Sequence, residues 1–287
     1  MPTTNTPNRE TATENHDSLE CAVTSYATTR LSYDAVNALR KQSDTLPGAL
    51  GNSVLRHSDE QTLTALVAVK DAITQFETPP ADFQNWGVVF STRYLGRTAF
   101  AQALNKFAVD GPWNVSVQVV PNRSLHSPAS MLGLALGCHG PCVGVGGGLD
   151  GEPDAWLTAI SLLDQHSLPG IWLVFSGWEP DERIDIEGTP LTDTSCTTLA
   201  LALQPASTTN PTARLRIVYD QLAPVALEIP AKTTAMTLFE NFVASGHEKP
   251  LTVMLGGGLQ AEMKWSNAVT STIPLLRPVS TTLKKAA

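Results

Sequence analysis

From residue 58 to residue 76 the apolar side chains Leu66, Val69, Ile73 and Phe76 return every three or four positions, the period of one helical face. Ser58 with Gln61 three places on forms a capping-box pattern at its start. Pro79 and Pro80 end that helix. Residues 86–92 (WGVVFST) change the pattern to an unbroken β-branched and aromatic run, as a strand buried on both faces requires. An amphipathic helical pattern follows over 97–107, and residues 115–120 read as extended. Ser127 with Pro128 supplies an N-cap and a first-turn proline for a helix running to about Gly137. Residues 142–145 form a short strand that ends in Gly146, Gly147 and Gly148. Pro153 opens a helix with Trp156, Ala159, Ile160 and Leu163 on one face, and residues 170–175 (GIWLVF) make another buried strand.

The flanks are less regular. Residues 21–26 read as a first strand, 31–41 have helical spacing at Val36 and Leu39, and 43–57 are loop-like. Beyond Pro180 a charged segment (EPDERIDIEG) precedes two extended runs, 197–204 and 214–219, with no helix between them; that order predicts an antiparallel pair at a sheet edge. A helix over 234–244 and a last strand over 251–255 follow. Strands alternating with helices of ten or more residues predict an α/β fold, a largely parallel sheet with helices on both faces. Residues 1–18 lack large apolar side chains and read as a disordered leader, 19–265 as a single domain and 266–287 as a polar tail. The triplet Gly146–Gly147–Gly148 followed by Leu149 is echoed by Gly256, Gly257, Gly258 and Leu259, which a fold built from two related halves would produce.

Composition narrows the function. A chain of 287 residues, 42% hydrophobic, buries a large core without staples. Its net charge of −8 argues against a generic binder of nucleic acid or anionic membrane, both of which need a concentrated positive field. Lys284 and Lys285 add only two charges at the end. The four cysteines (Cys21, Cys138, Cys142, Cys196) follow no hydrophobic signal segment, so a reducing, cytoplasmic setting is expected. Cys138 and Cys142 have zinc-like spacing, but no second pair follows and His139 cannot complete a tetrahedral set. No metal or cofactor is expected.

The stretch SLHSPASMLGLALGCHGPCVGVGGGLDG, residues 124–151, resembles the ketosynthase (thiolase-like) family, in which a helix, a small-residue turn and Gly-Pro lead to the strand that delivers the nucleophile. Gly140 and Pro141 fill the Gly-Pro. SDEQTLTALVAVKDAITQF resembles the family's first long helix, NWGVVFSTRYLG its next strand, WLVFSGWEPD the strand after the nucleophile helix and TSCTTLALAL the strand closing the first half. LTVMLGGGLQ resembles a reduced last glycine-rich strand. The resemblance covers roughly 20–205 plus that end piece. It implies a thiolase-like mixed sheet with helices on both faces and a truncated or reduced second half.

The departures define the functional expectation. Where the family carries its reactive cysteine at the N-terminus of a buried helix, this chain has Leu149, which has no nucleophilic atom. Cys142 falls near the start of the strand and reads as a buried structural thiol. The family's two later histidines have no counterpart in their usual motifs, and His247 (SGHEKP) reads as part of a polar turn. The resemblance therefore implies a pseudoenzyme of the chain-length-factor kind, of the sort associated with aryl polyene or related polyketide pathways. Its partner would be a catalytic ketosynthase in a heterodimer or a second copy in a homodimer. Acyl carrier protein would be engaged only indirectly, because it is itself acidic. The pairing strand carries Cys142, Val143, Gly144 and Val145; Ser127, Met131 and Leu134 would border an acyl tunnel, with ordinary core packing as the alternative for that stripe.

Other classes remain open. Gly146, Gly148 and Gly151 match the G-x-G-x-x-G of an NAD(P)-dependent enzyme, though Pro153 follows at once and Glu179 lies too far along for the ribose carboxylate. Ser176 (FSGWE) lies after a strand but lacks the glycine of a nucleophile elbow. A homodimeric acyl-binding scaffold would share the same pairing and tunnel surfaces.

Overall fold

The computed structural model describes residues 19–41, 50, 52–146, 151–165, 167–181, 185, 194–219, 233–245 and 249–266. The leader 1–18, Leu149, His247 and nearly all of the 266–287 tail lie outside them.

The apolar runs become strands longer than the runs themselves: β1 (Glu20–Ser32), β2 (Gly87–Thr92), β3 (Cys142–Gly146), β4 (Ile171–Glu179), β5 (Ser195–Pro205), β6 (Ala213–Tyr219), β7 (Leu251–Gly256) and β8 (Leu259–Trp265). They form one sheet in the order β3-β2-β4-β5-β1-β6-β8-β7. Only β3-β2 and β2-β4 are parallel; the other pairings are antiparallel, so the sheet is mixed rather than largely parallel. β5 and β6 are not an edge pair either. The N-terminal strand β1 inserts between them, antiparallel to both, and makes all three interior. A hydrophobic pattern specifies which face of a strand is buried, not which neighbour it takes.

Helices pack on both faces of the half containing β2, β4 and β5. On one face α3 (Glu60–Thr74) and α6 (His126–Leu136), with the short α1 (Tyr33–Leu39) and α2 (Asn52–His57), cover Val88, Phe90, Trp172, Val174, Ala200 and Ala202. On the other, α7 (Gly151–Gln165) and α8 (Ala235–Ala244) cover Val89, Ile171, Leu173, Phe175, Leu199 and Leu201. Neighbours in sequence thus enter different cores, which is why these strands read as unbroken apolar runs. In the other half burial alternates, as along β7, and among the described residues helices cover only one face. α8 packs there through Phe239, edge-on to Tyr26, and Phe242, stacked 4.6 Å from Trp265. The opposite face is polar, with Arg216 2.7 Å from Glu262.

Several local expectations change. The cap of α3 is Asp59, whose carboxylate accepts from the Gln61 N–H at 2.9 Å, while the Ser58 hydroxyl donates to the Val54 carbonyl. A carboxylate also complements the positive end of the helix. Residues 52–57, expected as loop, are helical, and 115–120 are not extended: a 3-10 turn (Pro112–Asn114) leads to the short α5 (Val119–Asn122). Valine-rich segments need a neighbouring strand to be extended in a sheet, and none is paired here. α6 starts one residue before Ser127, which lies inside its first turn. The amphipathic pattern over 97–107 does form a helix, α4 (Arg97–Asp110), yet Thr98 is its only buried residue. Gly256, Gly257 and Gly258, all at positive φ, turn β7 into the antiparallel β8. Of the triplet they echo, Gly147 and Gly148, with Leu149, lie outside the described residues.

One close approach joins β3 to α6. A Cβ on Gly144 would fall inside the Leu125 carbonyl, which belongs to backbone and cannot rotate away. Gly144→Ala is expected to destabilise the fold by about 1–3 kcal/mol in urea denaturation; an unchanged midpoint would mean that α6 yields freely to β3.

Candidate functional site

At the carboxyl ends of β2 and β4 the apolar strands give way to polar residues, and α7 begins beside the end of β3. Arg93 follows β2 directly, and its side chain is only 7% exposed. Its guanidinium donates to the Trp178 carbonyl at 3.1 Å and lies 3.3 Å from Asp181, 3.6 Å from Glu179 and 3.9 Å from Glu152. The second residue of α7, Glu152, uses its other oxygen to accept the Ala235 N–H of α8 at 2.6 Å. Thr234 caps α8 by accepting the Thr237 N–H and donates its own hydroxyl to Glu179 at 2.7 Å. From the solvent side Arg30 of β1 reaches Glu179 at 3.1 Å and Glu240 at 3.6 Å. Behind Arg93, Gln61 of α3 donates to its backbone carbonyl.

Three carboxylates surround the buried Arg93 guanidinium, and Arg30 gives Glu179 a second cation from the solvent side. Burial raises the Glu152 pKa above the ordinary glutamate value; the Ala235 N–H and then Arg93 oppose that shift, and Glu179 adds to it. The small cavity inside the cluster, lined by Arg93, Glu152, Ser176, Glu179 and Thr234 among others, holds only about 10 Å³. A more open cavity of about 380 Å³ lies outside it, lined by Tyr94, Leu95, Arg97 and Asp181.

The residues picked out from sequence separate. Leu149 and Gly148 lie outside the described residues. Gly146 and Gly151 are brought together: a Cβ on Gly151 would stand 3.1 Å from the Gly146 carbonyl carbon, and one on Gly146 would run into Leu125, so the chain's own atoms fill the space these glycines leave. A dinucleotide pyrophosphate at this helix N-terminus would also meet Glu152 and Asp154. Ser176 is inside β4 rather than after it, its hydroxyl 2.8 Å from Thr198 and donating to the Thr197 carbonyl. Glu179 belongs to the Arg93 cluster.

Cys142, Val143, Gly144 and Val145 form most of the edge strand β3, half-buried throughout. Ser127, Met131 and Leu134 share the side of α6 away from its buried residues Ala129, Leu132 and Ala135; Leu134 is 65% exposed. The stripe is therefore not the packed core of the subunit, and neither cavity above is lined by it. Burial disfavours the thiolate at all four cysteines: it pushes Cys21 and Cys138 up to about 12 and raises Cys142 and Cys196, with Cys142 adding to the shift at Cys138. Among the described residues no three His, Cys, Asp or Glu side chains are grouped to hold a metal ion, and no helix is long and apolar enough to cross a membrane.

The Arg93 cluster itself was not foreseen. Its signal lies in Arg93 and Glu179, the charged residues that close two apolar strands, and in a glutamate just ahead of Pro153; charges at strand ends are common, and only the fold brings these three together.

No protein-family model and no curated protein matches the chain. Solved structures do. One is a chain of the complex between the ketosynthase ApeO and its chain length factor ApeC from Xenorhabdus doucetiae, with TM-score 0.52 and 14% identity over 85% of this chain and 98% of that one. Another is the ishigamide ketosynthase/chain length factor, with TM-score 0.48 and 16% identity over 70% of this chain and 68% of that one. The fold is thus the thiolase-like ketosynthase fold. The first of these likenesses spans nearly all of the matched chain.

Removing the guanidinium would leave the carboxylates uncompensated, so Arg93→Ala is expected to cost about 3–5 kcal/mol in denaturant unfolding; a loss below about 1 kcal/mol would show that the cluster contributes little to stability. The raised pKa of Glu152 has a definite sign. Its contribution to stability is fully present below the unfolded value and is lost as pH rises through the folded one. The stability of the wild type relative to Glu152→Gln should therefore fall from about pH 4 towards neutrality, and parallel pH profiles would refute the assignment.

Proposed function

We propose that this fold serves as a non-catalytic, chain-length-factor-like subunit that pairs through β3 with a catalytic β-ketoacyl synthase in fatty acid or polyketide assembly of the aryl polyene type. The observation that carries the reading is the edge position of β3: a strand delivered by Gly140-Pro141, with one side of its ladder open to a further strand among the described residues. The likeness to a chain of a ketosynthase and chain length factor complex gives that open edge a plausible kind of partner.

The absence of condensing chemistry is part of the proposal. A condensing enzyme needs a thiolate and an oxyanion at the positive end of a helix. Here the corresponding position is Leu149, the first turn of α7 carries Glu152 and Asp154, and burial disfavours the thiolate of Cys142. The outward stripe Ser127, Met131 and Leu134 would form one wall of an acyl tunnel completed by the partner, Met131 limiting its depth. In a chain of net charge −8 the partner would supply the positive surface for an acyl carrier protein, and the pair would work in the cytoplasm.

The test is coexpression with the β-ketoacyl synthase encoded nearest to this chain, followed by size-exclusion chromatography with mass determination and a condensation assay. A one-to-one complex is expected, active when this chain carries Cys142→Ser and inactive when the partner's nucleophilic cysteine is replaced. Condensation of malonyl and acyl thioesters by this chain alone, with Cys142→Ser, would overturn the non-catalytic assignment. A homodimer that ignores the synthase would overturn the pairing.

A further inference from the structure

The start of α8 forms a wall of the polar cluster around Arg93. Thr234, Ala235 and Met236 are buried, and Thr234 and Met236 line the enclosed cavity of about 10 Å³ together with Glu152 and Glu179. A cavity of that size holds no more than a single water molecule. With α8 in place Glu152 therefore lacks the hydration that an ionised carboxylate requires.

The protein replaces little of that hydration. Among the described residues Glu152 has one hydrogen bond, from the Ala235 N–H at 2.6 Å to one oxygen. Its other oxygen stands 3.9 Å from Arg93, beyond hydrogen-bond reach, and that guanidinium lies nearer to Asp181, at 3.3 Å, and to Glu179, at 3.6 Å. Of the charges on the other elements around it, Arg30 of β1 serves Glu179 and Glu240 of α8, and Asp154 on α7 itself is exposed. A neutral carboxyl fits these surroundings better than a carboxylate, because it accepts the Ala235 N–H and leaves no charge to be compensated. The upward shift at Glu152 has the same direction, burial outweighing the N–H bond and Arg93 that oppose it.

α8 is also the element best placed to yield. It has ten residues, too few for a stable helix away from a packing surface. Beyond its first turn it is held largely by apolar contacts, Phe239 against Tyr26 and Phe242 against Trp265. Peripheral elements of this kind open without the rest of a fold.

We propose that α8 is a proton-linked latch, which closes on α7 over a neutral Glu152 and opens as a unit when that carboxyl gives its proton to solvent. The latch is independent of the pairing reading. A carboxyl that ionises less readily with α8 closed binds its proton more tightly in the closed state. Closure is therefore favoured at low pH and weakens as pH rises through the closed-state value.

The test is hydrogen exchange on the full-length chain between about pH 5 and about pH 8, corrected for intrinsic exchange, comparing α8 with β4 and β5. In the wild type the protection of α8 is expected to fall about fivefold or more across that range, while that of β4 and β5 changes less than about twofold. Glu152→Gln, neutral at every pH, should hold α8 protection constant, and Glu240→Gln should keep the wild-type profile. If wild-type α8 exchanges in step with β4 and β5, or its protection is constant or rises with pH, the latch is overturned, and that comparison needs no variant. If Glu152→Gln retains the pH dependence, or Glu240→Gln loses it, the assignment of the proton to Glu152 is wrong.

Discussion

The structure depends on accommodating one buried guanidinium. Arg93 lies at the end of a strand in the middle of the parallel part of the sheet, where an unpaired charge would cost several kcal/mol. Its neighbours come from β4 (Trp178, Glu179), from the turn beyond it (Asp181) and from α7 (Glu152). Two of these carboxylates also hold the start of α8, through the Ala235 N–H and the Thr234 hydroxyl. The placement of α8 over the reduced half of the sheet is thereby linked to the junction where β2 ends and α7 begins.

That junction and the outer edge divide the molecule into a satisfied side and an unsatisfied one. Around Arg93 the charged groups are paired, though Gln61 Oε1, Ser91 Oγ and Thr92 Oγ1 beside it have no hydrogen-bond partner among the described residues, and Phe239 and Phe242 of α8 are buried against β1 and β8 aromatics. At the other extreme β3 has an open ladder, α6 turns Leu134 outward and α4 leaves its apolar side chains in solvent. Among the described residues nothing covers these surfaces, and their lying beside the β3 edge is what gives the pairing reading its physical basis.

Much of the fold was legible in the residues. α3, α7 and α8 follow from period, and β2, β4 and β5 from composition, because burial on both faces leaves little tolerance for polar residues in those strands. What was not legible were matters of neighbourhood. β1 lies between β5 and β6 because the chain returns antiparallel, which no local pattern encodes. β8 was missed although Leu259, Ala261, Met263 and Trp265 alternate with Gln260, Glu262 and Lys264, because the last strand was taken to end at residue 255, before the glycine triplet. The pattern of α4 was read correctly as helical, but amphipathicity states that a face is to be covered, not that the same chain covers it. The strand and the helix that carry the residues singled out could be placed from sequence, whereas the Arg93 cluster joins residues from positions 30 to 240 and emerges only in three dimensions.

The N-terminus of α7 connects the two halves of the proposed function. An activated nucleophile would require this turn to remain open to a substrate and free of nearby negative charge. Here Glu152 occupies the turn and is committed to α8 and Arg93, so the dipole of the helix faces a carboxylate and the backbone of a neighbouring helix. In the proposed reading the position has become a joint that stabilises the shortened fold, and replacing Leu149 by cysteine would not by itself recreate a reactive thiolate. Selection on such a chain would act on the outer surfaces around β3, because these are the parts whose apolar area is left without an intramolecular role.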